Sequence, residues 1–319
     1  VYGRFPGQNR RAPLVISAHL DTVFPLETDL TIRENGRFLY GPGIGDNSTG
    51  VAGLLLLAQA LIGQRLPLAR DVWFVANVGE EGLGDLRGMR AVVERFGRAA
   101  SYIVVEGGLF GQISHQAIGV HRYRLNVSGP GGHSWGSFGA ASAIPVLGHL
   151  IVAIDKLPVP DPPRTTYNVG VIEGGTSINT IAQSASLLLD LRSEEPVALQ
   201  QLEDSVAQIV QQSNQQWREA GIQVTMTPIG NRPAGKISRN TGLVKTAVAA
   251  LQFVGQHTIT FMMGSTDANV PLSQGITAVC IGLTESGNAH RLDEFIDPTH
   301  LPDGLSQLLL LTLAAAGFS

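Results

Sequence analysis

The pattern of apolar and polar positions changes twice along the chain. In the first third, short apolar runs alternate with helical stretches. Leu14-Val15-Ile16-Ser17-Ala18 runs unbroken up to His19, as expected of a strand buried on both faces in a largely parallel sheet. Asp71–Val78 and Tyr102–Glu106 repeat that pattern, and Gly50–Ile62 reads as an apolar helix opening beside a Gly-rich turn. Strands separated by helices predict an α/β layer with helices on both faces of the sheet.

Near Gly119 the period shortens to two. His121–Val127 alternates like a half-exposed strand, and a helix is predicted from about Ala140 to Asp155. Thr166–Glu173 and Ser186–Ser193 read as strands, followed by a polar helix from Pro196 to about Gly221 and a last strand at Ile222–Thr227. That order, β-α-β-β-α-β, is the arrangement of a small α+β sandwich with an antiparallel sheet. The α/β character then returns, with Ala278–Gly282 as another buried strand. The expected organisation is one α/β domain over 1–117 and 230–319, interrupted by an α+β domain over 118–229.

A chain of 319 residues fits two domains, and 44% hydrophobic with 15% charged residues excludes a disordered chain. The net charge of −4, with no basic run, argues against a nucleic-acid partner. Cys280 is the single cysteine, so neither an intramolecular disulfide nor a cysteine-based structural zinc site can form. The longest apolar runs, near Val51–Ile62 and Leu308–Ala316, are too short for about 30 Å of hydrocarbon, and no membrane association is expected. No signal peptide precedes Val1, although the chain does not begin with Met. A cytoplasmic location is the expectation.

Five residues with metal-ligand chemistry fall at the ends of predicted strands or in the loops that follow: His19, Asp46, Glu81, Glu106 and His290. Imidazoles and carboxylates together suit zinc or a similar divalent ion. One carboxylate shared by two ions, with two further ligands each, would leave each metal an open position for water. In His19-Leu20-Asp21, residues two apart on an extended segment share a face, so Asp21 is placed to hydrogen-bond the His19 ring and fix its tautomer. Gly41–Gly50 is a Gly-rich loop leading into the apolar helix, without the Lys-Ser/Thr ending of a phosphate loop. In Gly79-Glu80-Glu81-Gly82, one carboxylate can bind metal while its neighbour serves as a general base. Each feature alone has a plainer reading as a capped turn, a surface histidine or solvated charge.

The ordered set is more specific. His-x-Asp, Gly-x-x-Asp-x-x-x-Gly, Glu-Glu-Gly, Val-Glu-Gly and Ala-His-x-x-x-Glu together resemble the M20 family of dinuclear zinc peptidases and deacylases. The middle segment resembles it too. Gly131-Gly132-His133-Ser134 is similar to the histidine motif of the family's lid domain, and Gly174–Asn179 to its substrate-binding turn. Asp190-Leu191-Arg192 resembles its arginine strand, and Gly264-Ser265-Thr266-Asp267 a Gly-rich loop near its active site.

The resemblance implies a zinc-exopeptidase-like catalytic domain on a mixed sheet, carrying an inserted lid and dimerisation domain. It implies two divalent ions per chain, zinc with cobalt or manganese as alternatives. Asp46 would bridge both, His19 and Glu106 would complete one site, and Glu81 and His290 the other. Glu80 would be the general base, and Asp21 would count among the catalytic residues through its bond to the His19 ring. Asn179, Arg192 and Gly264 would contact a small peptide or N-acyl amino acid. His133 would act in the partner's active site of a homodimer built through the lid. The Asp46–Asn47 peptide would be cis. Two departures stand out: Asn47 where the family commonly has an acidic residue, and few residues before the His-x-Asp strand. The competing readings are a lid-less co-catalytic zinc aminopeptidase, disfavoured by the inserted segment, and an inactive binding or scaffold protein, disfavoured by the retention of Glu80.

Overall fold

Side chains alternate between two cores along the central strands, which explains their unbroken apolar runs. In Leu14–His19, Leu14, Ile16 and Ala18 join one core and Val15 the other. In Ser101–Glu106, Ile103 and Val105 face the first core while Tyr102 and Val104 face the second. In the computed structural model, residues 1–9, 11–64 and 66–318 are described. They form two units, Val1–Ala117 with Gly235–Ser319, and Ile118–Ala234.

The first unit is built on an eight-stranded mixed sheet. Its order is Tyr2–Phe5, Val72–Asn77, Leu14–His19, Ser101–Glu106, Ala278–Gly282, Gln112–Ala117 and Gly235–Lys236, and Thr260–Gly264 also pairs with Gln112–Ala117. The four strands from Val72–Asn77 to Ala278–Gly282 are mutually parallel, so their carboxyl ends share one edge. Helices cover both faces. Thr49–Gln64, Gly242–Phe253 and Leu301–Ala316 bury Leu57, Leu61, Val244, Leu251, Leu308 and Leu311 in the first core. Arg87–Phe96 brings Met89, Val92 and Val93 to the second. A separate four-stranded sheet joins Arg33–Asn35, Phe38–Tyr40, Phe295–Asp297 and Glu285–Gly287, and carries the packed rings of Phe38, Tyr40 and Phe295.

The second unit has a four-stranded, wholly antiparallel sheet: Thr165–Gly174, Ser184–Ser193, Gly119–Ser128 and Gln223–Arg232. Ala143–Ile154 and Pro196–Gln216 pack Val146, Leu147, Leu150, Leu202 and Val206 against Leu125, Leu187, Leu189 and Leu191. A two-stranded ladder pairs Gly132–His133 with Thr180–Ile181. Among the described residues, no helix is long and apolar enough to cross a membrane.

Candidate metal centre

His19 and Glu106 are the last residues of adjacent parallel strands, which places both at the carboxyl edge of the sheet. Glu80 and Glu81 follow the neighbouring strand, Val72–Asn77, after a turn at Gly79. Asp46 lies in the loop entering the helix Thr49–Gln64, and its peptide bond to Asn47 is cis. Asn47 is buried and donates from Nδ2 to the Val105 carbonyl at 2.9 Å. A carboxylate has no proton to donate there, which gives a local reason for Asn at this position. Gly50 is required by the same side chain, because a Cβ at Gly50 would collide with Asn47 Oδ1.

Among the described residues, two sets of side chains place their ligand atoms within 4.8 Å of one another: His19, Asp46 and Glu106, and Asp46, Glu81 and His290. Asp46 belongs to both. Its Oδ1 is 3.1 Å from His19 Nε2, and its Oδ2 is 3.2 Å from His290 Nε2. His19 Nε2 is 3.5 Å from Glu106 Oε2, and His290 Nε2 is 3.4 Å from Glu81 Oε1. The five donors named from sequence are thus brought together, with the shared carboxylate turned one oxygen to each side.

The electrostatics follow from burial among like charges. Burial pushes the Glu106 carboxyl up against the pull of His19, and burial with the Asp46 charge does the same for Glu81. Burial would lower the His19 ring, but hydrogen bonds to Asp46 and Glu106 outweigh it and push His19 up to about 12. An imidazolium there offsets the surrounding carboxylates, and a bound cation would displace its proton. Imidazole and carboxylate donors match zinc and neighbouring divalent ions. Among the described residues, Glu81 Oε1 is buried and makes no hydrogen bond, although the His290 ring is beside it. The residues therefore fit a pair of divalent ions.

Asp21 does something other than the spacing suggested. The His19 ring bonds through Nδ1 to the Asp21 main-chain carbonyl at 2.9 Å, while the nearer carboxylate oxygen is 3.7 Å away, beyond hydrogen-bonding distance. That carboxylate instead accepts from the amides of Glu80 at 3.3 Å and Glu81 at 2.9 Å. Two part-buried peptide N–H groups in the turn need acceptors, and the carboxylate serves both. When a cation displaces the other ring proton, this bond keeps the remaining one on Nδ1, with Nε2 turned to Asp46 and Glu106.

Glu80 is 7% exposed and belongs to neither donor set, yet its charge acts on His19. In the second unit, His133 ends one strand of the short ladder and Asn179 precedes the other, with the Ser134 amide donating to the Asn179 carbonyl at 3.0 Å. His133 Nδ1 accepts from the amides of Trp135 and Gly136 at 3.2 and 3.3 Å, which leaves the ring proton on Nε2. Trp135, Phe138 and Ile178 flank them, all at least 89% exposed. Arg192 donates to Asp190 at 2.6 Å, and Arg122 to the other oxygen at 2.9 Å. Burial would raise the Asp190 carboxyl, but the two guanidiniums hold it below the ordinary carboxylate range. Gly264 ends the strand Thr260–Gly264, and a Cβ on it would meet open space.

Two contributions were not assigned from sequence. The Glu294 carboxylate binds the loop before Asp46, although the residue closes the Ala-His-x-x-x-Glu pattern that could have flagged it. Asp267, wholly buried, accepts from Asn77 Nδ2 at 2.7 Å and so ties the Gly264–Asp267 loop to the strand preceding Glu80. Burial pushes its carboxyl up to about 6.

Ligand-type side chains gathered at the carboxyl edge of a mixed α/β sheet define a two-set metal-ligand centre. The profile of peptidase family M20/M25/M40 matches residues 15–314, and the chain belongs to that family. A peptidase M20 domain-containing protein of Schizosaccharomyces pombe is 28% identical over 202 residues, 60% of this chain and 47% of that protein. The chain spans about half the length of the curated relatives it matches. Among solved structures, a tripeptidase of Staphylococcus aureus superposes with a TM-score of 0.79 at 22% identity, covering 97% of this chain and 82% of the other. A dinuclear metal-binding peptidase of family M20 from Bacillus subtilis gives a TM-score of 0.66 at 17% identity, covering 99% and 84%. The likeness to both is one of fold.

Proposed function

We propose that the chain is a metal-dependent hydrolase that cleaves an amide bond in a small peptide or an N-acyl amino acid. The observation that carries this reading is the Asp46 carboxylate, with one oxygen beside each of two histidine-containing donor sets. His19, Asp46 and Glu106 would hold one ion, and Asp46, Glu81 and His290 the other. Two such ions, zinc with cobalt or manganese as substitutes, would supply Lewis acidity to the scissile carbonyl and acidify a water.

The remaining chemistry belongs to the chain. Glu80 takes a proton from the attacking water and returns it to the departing nitrogen. Asp21 holds the main chain that carries Glu80, accepting from the Glu80 and Glu81 amides. His133 offers its Nε2–H to the developing oxyanion. Arg192 takes the substrate carboxylate as a two-pronged donor, and Asn179 with Gly264 bounds the peptide. A homodimer built through the inserted unit would bring His133 to the partner's site.

The test is a screen of di- and tripeptides and N-acyl amino acids in the presence of Zn²⁺, Co²⁺ or Mn²⁺. Release of a free amino group from at least one substrate is expected. Turnover of none of them by folded, metal-loaded protein would remove the reading.

A further inference from the structure

Asp46 can serve two donor sets only if its carboxylate is aimed between them, and aim is a property of the backbone that carries it. Three amides of that backbone are held from one residue. Glu294 is 1% exposed and lies four positions after His290. Its Oε2 accepts from the Gly43 amide at 2.8 Å, and its Oε1 from the amides of Gly45 and Asp46, each at 2.8 Å. Its main-chain carbonyl accepts from the Gly41 amide at 2.9 Å. Charge-assisted bonds to peptide N–H groups are about twice as strong as neutral ones, and here three converge on one carboxylate. The loop is shaped to receive them. A Cβ on Gly45 would sit 2.8 Å from Ser286 Cβ and 3.1 Å from Glu294 Oε1, and Gly43 adopts a φ of 71° that favours glycine.

We infer that Glu294 is a positioning residue that fixes the Asp46 backbone relative to the His290 segment, and so prepares both donor sets at once. The inference rests on the reading that these sets hold two divalent ions. It differs from an ordinary ligand role in its signature. Loss of Glu106 or Glu81 should weaken one ion, whereas loss of the Glu294 clamp should weaken both, because Asp46 is common to the two sets. Glutamine is close to isosteric, yet it replaces one acceptor oxygen with an amide N–H₂, which would meet an N–H of the loop head-on. Aspartate keeps the charge but is one methylene too short to reach all three amides.

The experiment measures zinc affinity of metal-stripped wild type, Glu294→Gln, Glu294→Asp and Glu106→Gln by competition with a chromophoric chelator, with circular dichroism of each stripped protein alongside. Glu294→Gln should bind both ions about 10–100-fold more weakly than wild type, the usual cost of removing a group that orients ligands. Glu294→Asp should fall between the two, and Glu106→Gln should weaken one ion only. Wild-type affinity for both ions in the two Glu294 variants would overturn the inference, as would weakening of a single ion. Failure of both variants to fold would also overturn it, since Glu294 would then serve folding and not the site. Wild type that takes up no zinc would sink the parent reading itself, a result distinct from these.

Discussion

Glu80→Gln is expected to lower kcat by about 10²–10⁴-fold, the contribution of a well-placed general acid–base. Metal content should stay near that of wild type. Glutamine keeps the size of the side chain but can neither accept the proton of the attacking water nor hand it to the leaving nitrogen. The position suits a group that moves protons and holds no metal. It is 7% exposed, its amide is held by Asp21, and it lies outside both donor sets. Its neighbour provides the contrast. Glu81→Gln should lose metal as well as activity, because Glu81 Oε1 is 3.4 Å from His290 Nε2 and makes no hydrogen bond among the described residues. Steady-state kinetics with elemental analysis of the same samples separates the two. A Glu80→Gln enzyme that keeps most of its kcat would mean the base lies elsewhere.

His133→Ala should cost about 10²–10³ in kcat, the usual effect of losing one donor aimed at developing charge. Two amides occupy Nδ1, so the ring presents its donor proton at Nε2. If that proton serves the partner's site, two inactive proteins should complement each other. Mixed His133→Ala and Glu80→Gln chains that re-pair at random make half the dimers mixed, each with one intact site, so about a quarter of wild-type activity should return. A strictly monomeric, fully active enzyme would rule out the trans role. So would no recovery after demonstrated subunit exchange.

The five donors could be read from the chain because parallel strands turn sequence order into position: a polar residue closing an apolar run lands at the carboxyl edge, as His19 and Glu106 do. Long elements were legible for a similar reason. The helix predicted over Gly50–Ile62 spans Thr49–Gln64, and the strand predicted at Ala278–Gly282 has those bounds. Short edge elements were not. Tyr2–Phe5 is exposed along most of its length, and Thr260–Gly264 carries no buried alternation, so neither leaves a hydrophobic signature. The polar helix stops at Gln216, short of the predicted Gly221, which sits in a turn at a φ of 73°. Asp21 and Glu294 act through peptide N–H groups of other segments. Sequence shows which side chain can accept, not which distant amide needs an acceptor.

The most direct measurement is the metal content of the purified protein, taken together with hydrolysis of its best amide substrate before and after chelation. About two divalent ions per chain should be found, in keeping with one carboxylate shared between two donor sets. Stripping them should abolish hydrolysis, and Zn²⁺, Co²⁺ or Mn²⁺ should restore it. Full hydrolysis by protein shown to contain no metal would contradict the proposal.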